Sequence, residues 1–196
     1  MINQELECMK AYVLYYDGFA EFEIVIACGN LAHKSDIIPI ALENREYISE
    51  EKQIFIPKLT VDEVKPDDID CLIIPGGNIN TIKDNQTLKD LLHALDSKNK
   101  LIAGICGGAM LLGYLGLLKG KRFNYGAAGF ELKEEEYSVY FSDAIRIHED
   151  VVLDGNILTA QGQAFIEFGI EIAQYLGIYE NEQERERDYK WLKNIK

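Results

Sequence analysis

The segment Leu101-Ile-Ala-Gly-Ile-Cys-Gly-Gly-Ala-Met110 sets one cysteine between glycines, Gly104-x-Cys106-x-Gly108, where an apolar strand pattern meets an apolar helix pattern. A nucleophile displayed on a sharp strand-to-helix turn needs this spacing, because small neighbours give the strained backbone room and leave the side chain at the carboxyl end of a sheet. The free N–H groups and dipole of the following helix are expected to lower the thiol pKa from its usual value of about 8.5. The bland alternative is a buried cysteine in a glycine-rich turn. A second apolar run, Cys71-Leu-Ile-Ile74, stops at Pro75-Gly76-Gly77-Asn78. Two such strand ends meet at one rim of a doubly wound sheet, so N–H groups of Gly76 or Gly77 and of Gly107 can face one reacting atom as an oxyanion hole. Taken alone, Pro-Gly-Gly is an ordinary glycine turn. Asn78, directly after it, is a candidate for substrate contact.

The elements that must position these residues alternate. A strand over 11–16 ends at Asp17-Gly18, and a helix follows with Phe22, Val25, Ile26 and Gly29 on one stripe, broad enough to be covered on most sides. Glu21 and Glu23 form its polar start. A strand over 36–42 precedes a hairpin or irregular excursion over 43–58. Leu88, Leu91, Leu92 and Leu95 mark an amphipathic helix within 87–97, and the helix after Cys106 is expected to run through Leu118. Strand and helix in alternation predict an α/β sheet, mostly parallel, with helices on both faces. Later strands are expected over 144–147, 151–153 and 157–160, the last two joined at Asp154-Gly155-Asn156, and then a helix carrying Phe165, Phe168, Ile172 and Leu176. Residues 1–196 read as a single domain, with 180–196 a surface helix.

Composition excludes several function classes. The chain has 196 residues, with 20 Lys and Arg against 33 Asp and Glu, a formal charge of −13. That charge repels a phosphate backbone, so no nucleic-acid partner is expected. No apolar run is long enough to span a bilayer and the N-terminus lacks a basic targeting region, so a cytoplasmic protein with no membrane association is expected. Cys8, Cys28, Cys71 and Cys106 form no CxxC pair and no zinc-type cluster, which fits reduced thiols and no metal.

Four segments in order, AYVLYYDGFAEFE, CLIIPGGN, LIAGICGGAMLLG and VVLDGNILTAQGQAFIEFG, resemble the ThiJ/PfpI family of the class I glutamine-amidotransferase-like superfamily. The resemblance implies a flavodoxin-like three-layer sandwich, Cys106 as catalytic nucleophile, a catalytic acidic partner at Glu23, with Glu21 as competitor, no cofactor and a homodimer. A carboxyl held near sulfur and away from water has a raised pKa and can donate to sulfur when protonated. This chain departs from its relatives where they carry histidine. Gly107 follows the cysteine, His-Pro-Glu is missing, and the segment after the elbow helix reads Phe123-Asn124-Tyr125-Gly126, which leaves Asn124 and Tyr125 as candidates for substrate contact. Gln161-Gly162-Gln163 stands where relatives often have Arg-Gly-Pro. His148-Glu149 lacks the proline and reads as a solvated strand pair. Members of the family act as deglycases, glyoxalases, amidases and proteases. Without a histidine to protonate a leaving amine, attack of Cys106 on a small carbonyl electrophile ranks above proteolysis. The rival reading is a redox sensor or chaperone-like stress protein using oxidation of Cys106, and a weaker one is a glutamine amidotransferase-like subunit.

Overall fold

In the computed structural model, residues 8–125 and 138–196 are described; Gly126 lies outside them. The strands are β1 (Met9–Leu14), β2 (Ser35–Ala41), β3 (Tyr47–Ile48), β4 (Ile54–Phe55), β5 (Leu59–Thr60), β6 (Cys71–Ile74), β7 (Leu101–Ile105), β8 (Arg122–Phe123), β9 (Ile145–Arg146), β10 (Val151–Asp154) and β11 (Ile157–Ala160). The α-helices are α1 (Phe22–Leu31), α2 (Gln86–Ser97), α3 (Gly107–Tyr114), α4 (Phe165–Tyr175) and α5 (Glu182–Lys193). Strands β6, β7 and β11 are buried at every residue, as the central strands of a sheet covered on both faces must be.

Seven strands form one sheet in the order β10-β11-β7-β6-β1-β2-β5, parallel throughout except for the β10–β11 hairpin. The chain leaves β1 in one direction, through α1 to β2, and leaves β6 in the other, through α2 to β7. Right-handed crossovers therefore set α1 on one face and α2 and α3 on the opposite one. Helix α4 packs directly on α1, with Gly169 against the Ala27 backbone. The result is a flavodoxin-like three-layer α/β sandwich.

Local chemistry sets the boundaries. Asn85 caps α2 by accepting from Leu88 N at 2.9 Å, and Leu88, Leu91, Leu92 and Leu95 are all buried. Helix α3 stops at Tyr114, short of Leu118, because Gly116 takes φ +79° and the amides of Gly116 and Leu117 turn back to the carbonyls of Gly113 and Leu112. The excursion after β2 is a real hairpin, β3–β4, tied to the β1–α1 loop by Gly18 N to Ile48 O at 2.8 Å and Glu50 N to Phe19 O at 2.8 Å. Helix α5 docks on α4 through Arg185–Glu171 and Lys193–Glu167 ion pairs. Among the described residues, no helix is long and apolar enough to cross a membrane.

The helix that carries the elbow lies tight on its own strand. A Cβ added at Gly104 meets the Gly108 carbonyl carbon at 2.9 Å and Ala109 N at 3.0 Å. Gly104→Ala is expected to lower unfolding free energy by about 1–3 kcal/mol in urea titration, since backbone cannot yield as a side chain does. An unchanged midpoint would show that α3 can lift off β7 freely.

Candidate active site

Cys106 leaves β7 and caps α3 with φ +53° and ψ −116°, a conformation that an L-residue holds only when its surroundings fix it. Here Cys106 N donates to Ala160 O at 2.9 Å, and its carbonyl accepts from Met110 N at 3.3 Å, so the neighbouring strand and the new helix pin the elbow from both ends.

Glu23 enters from α1. Its side chain is 2% exposed although it lies in the first helical turn, and Oε2 accepts from Gly76 N at 2.6 Å. The carboxyl also accepts from the Cys106 thiol. Two glycines make room for this pair: a Cβ at Gly162 lies 2.7 Å from Glu23 Oε1 and 3.4 Å from Cys106 Sγ, and one at Gly76 lies 3.1 Å from the sulfur. The structure thus gathers Cys106, Glu23, Gly76 and Gly107 of the residues singled out in the sequence, with Gly77 beside Gly107.

The electrostatics invert the simple expectation for a thiol at a helix start. Burial first, then the charge of Glu23, push Cys106 up to about 12, against the lowering by the Gly107 N–H that faces its sulfur. Burial likewise pushes Glu23 up to about 7, opposed by the hydrogen bonds from Gly76 N and Cys106. Glu50 acts on both groups and Glu51 on Glu23, each with negative sign. A second negative charge is thus costly to place here, and the ionisation of each group opposes that of the other.

Other candidates are used differently. Glu21 turns to the hairpin and accepts from Gln53 Nε2. Gly76 N–H is occupied by Glu23, which leaves Gly107 N–H at the sulfur, with Gly77 N next to Gly107. Asn78 caps the next turn by accepting from Asn80 N at 3.3 Å, and it lines a groove of about 490 Å³ together with Asp17, Ser49, Glu50, Lys52 and Gly77. Asn124 is buried and bonded to its surroundings: its N donates to Thr159 Oγ1, its Nδ2 to Glu149 O, and its Oδ1 accepts from Tyr125 N. Tyr125 stacks on Phe123 and Phe141 under the Arg146 guanidinium. His33 and His148 are exposed, and His93 Nε2 contacts Leu115 O. Cys28 and Cys71 are raised by burial, and Cys8 is exposed.

Three contributors escaped sequence reasoning. Gly162 is visible only as the middle of Gln-Gly-Gln, Glu50 sits on a hairpin of weak pattern, and Tyr16, whose hydroxyl donates to the carbonyls of Pro75 and Gly76, reads as the end of an apolar strand. The signal for Tyr16 was its position, since strand carboxyl ends are where such sheets bind ligands.

Sheet order, elbow and carboxyl partner together define an α/β domain that holds a cysteine at a strand-to-helix turn. The chain belongs to the DJ-1/PfpI family, whose pattern it matches over residues 9–175. It is 28% identical over 180 residues to protein dj-1beta of Drosophila melanogaster, covering 89% of this chain and 93% of that protein. It is 26% identical over 155 residues to a deglycase of Thermococcus kodakarensis, covering 78% and 90%. The crystal structure of Drosophila DJ-1beta shares the fold with a TM-score of 0.79, at 23% identity over 94% of this chain and 97% of that one.

A carboxyl whose folded pKa exceeds its unfolded value stabilises fully below the unfolded value and loses that contribution as pH rises through the folded one. For Glu23 the window runs from about 4.3 in the unfolded chain to about 7 in the folded one. Glu23→Gln should therefore gain stability on the parent by about 2 kcal/mol between about pH 5 and about pH 8. Urea titration at both pH values checks it; an equal difference at the two would contradict a raised Glu23.

Proposed function

We propose that this chain is a cofactor-independent enzyme in which Cys106 attacks small carbonyl electrophiles such as 2-oxoaldehydes. The observation that carries the reading is the Cys106 thiol set against the buried Glu23 carboxyl, which Gly76 N holds at 2.6 Å and burial pushes up to about 7. Cys106 Sγ forms a bond to the aldehyde carbon as the C=O π bond opens. The thiol proton passes to Glu23 and from there to the carbonyl oxygen, which gives a hemithioacetal with no net gain or loss of protons. Gly107 N–H, with Gly77 beside it, serves the oxygen while it carries charge. Glu23 alone suffices for this two-way proton transfer, whereas amide hydrolysis must also protonate an amine. A groove of about 490 Å³ lies alongside Gly77 and Asn78, on the loop that carries Gly76. Similarity to proteins named deglycase, and to an isonitrile hydratase of Pseudomonas putida over 55% of this chain, is consistent with small electrophiles. Four free cysteines suit a reducing, cytoplasmic setting.

Methylglyoxal turnover should vanish in Cys106→Ser and survive combined replacement of Cys8, Cys28 and Cys71; survival in Cys106→Ser would overturn the reading. Gly107→Val should cut kcat by about 10²-fold or more in a protein that remains folded, because its Cβ would lie 2.6 Å from Gly77 O and displace the amide beside the sulfur. Full activity in that variant would remove Gly107 from the oxyanion site.

The second reading is a redox sensor, favoured by the same carboxyl, which when protonated can donate to an oxidised sulfur. It predicts no turnover, with peroxide oxidising Cys106 ahead of the other three thiols by mass spectrometry. A glutamine amidotransferase-like subunit ranks below both because His33 and His148 are exposed and His93 Nε2 is engaged with Leu115 O.

We also propose a homodimer. Phe22 and Val25 stand 45% and 56% exposed on α1, with Ile48, Ile54 and Ile56 exposed on and beside the nearby hairpin, an apolar surface that a second copy would cover. Light scattering at micromolar concentration should give twice the chain mass of 22.3 kDa; the single-chain mass would contradict it.

A further inference from the structure

Tyr15 and Tyr16 directly follow β1, and both rings lie against Phe19. Tyr15 stacks on Phe19 at 5.0 Å. Tyr16 is buried, and its hydroxyl lies 2.9 Å from Pro75 O and 2.7 Å from Gly76 O, so one phenolic proton serves two successive carbonyls. The first of these belongs to the amide whose N–H is Gly76 N, the donor to Glu23 Oε2 at 2.6 Å. A single planar peptide unit is therefore held at its oxygen by Tyr16 and at its nitrogen by Glu23, and turning one end turns the other. A hydrogen bond accepted at the carbonyl also polarises the amide and strengthens its N–H as a donor.

We propose that Tyr16 is a positioning residue of this site: through the Pro75–Gly76 amide, its hydroxyl sets the direction and strength of the hydrogen bond that holds the Glu23 carboxyl beside Cys106. The inference rests on the proposed proton sharing between Cys106 and Glu23 and on no particular substrate. Tyr16 keeps its proton throughout, because burial, then the charges of Glu23, Cys106 and Glu50, raise the phenol well above 10. The groups whose charge reaches Glu23 are Cys106, Glu50 and Glu51, and Tyr16 is a neutral hydroxyl among them. Its loss weakens the Gly76 donor and leaves Glu23 holding its proton to higher pH.

The test is the pH profile of Cys106 alkylation by iodoacetamide, followed by peptide mass spectrometry so that the other thiols do not contribute. Tyr16→Phe, which keeps the ring, should move the midpoint of the profile upward by about half a pH unit. In a Glu23→Gln background the same change should move nothing, as a double-mutant cycle requires of an effect that runs through Glu23. A general loosening of the fold would shift both backgrounds alike, and that result would overturn the proposal. A parent profile that responds to Glu23→Gln but not to Tyr16→Phe overturns the role of Tyr16 alone, whereas indifference to Glu23→Gln overturns the proton-sharing pair and this inference with it. Should Tyr16→Phe fail to fold, 3-fluorotyrosine installed at position 16 keeps the hydroxyl and makes it a stronger donor. The midpoint should then move downward, and no movement or an upward one contradicts the assignment.

Discussion

The contact between the Glu23 carboxyl and the Cys106 thiol constrains everything around it. Both groups are acids, Glu23 is buried and Cys106 half-buried, and the charges that reach them from Glu50 and Glu51 are negative. A buried charge needs donors, and the donor here is backbone: Gly76 N–H on the carboxylate at 2.6 Å and Gly107 N–H on the sulfur. Backbone comes that close only where side chains are missing. Gly76 and Gly162 lie against the pair, and any larger residue at either would occupy the space of the carboxyl or the sulfur.

Topology explains why the site lies where it does. The chain leaves β1 and β6 in opposite directions, so the crevice between these neighbouring strands is the switch point of the sheet, where open α/β folds leave space at the carboxyl ends. The loop after β1 supplies Tyr16 and leads to Glu23. The loop after β6 supplies Gly76 and Gly77. The two are laced together by Ala20 N to Gly76 O at 2.9 Å and Asn78 N to Gly18 O at 3.2 Å, while Cys106 arrives on the next strand over. The β3–β4 hairpin leans on the same loop and adds Glu50, whose charge acts on both Glu23 and Cys106.

Much of this was legible in the sequence because local rules carried it. Fully apolar runs ending in glycine mark buried parallel strands, and glycines flanking Cys106 mark an elbow whatever the rest of the chain does. Only the resemblance put Glu23 ahead of Glu21, since both stand at the start of the same apolar stripe. Helix register separates them: two residues turn the side chain by more than half a revolution, so Glu23 faces the sulfur and Glu21 the hairpin. The acidity of Cys106 was misjudged because the helix start is a local feature, while the burial and carboxylate that outweigh it come from segments distant in sequence. Tyr16, Gly162 and Glu50 were hidden for the same reason. Asn124 shows the converse, a polar residue suggestive in sequence whose polar atoms the fold spends on Thr159, Glu149 and Tyr125.

If Glu23 and Cys106 come to share one proton, the pair reaches that state in a first step near neutrality. Selective ¹³C labelling of glutamate and the pH dependence of the Glu23 Cδ chemical shift report on that step directly, with Glu23→Gln assigning the resonance. The account predicts a midpoint near 7, moving when Cys106 is replaced by serine. A midpoint at the ordinary glutamate value of about 4.3, indifferent to Cys106, would contradict it.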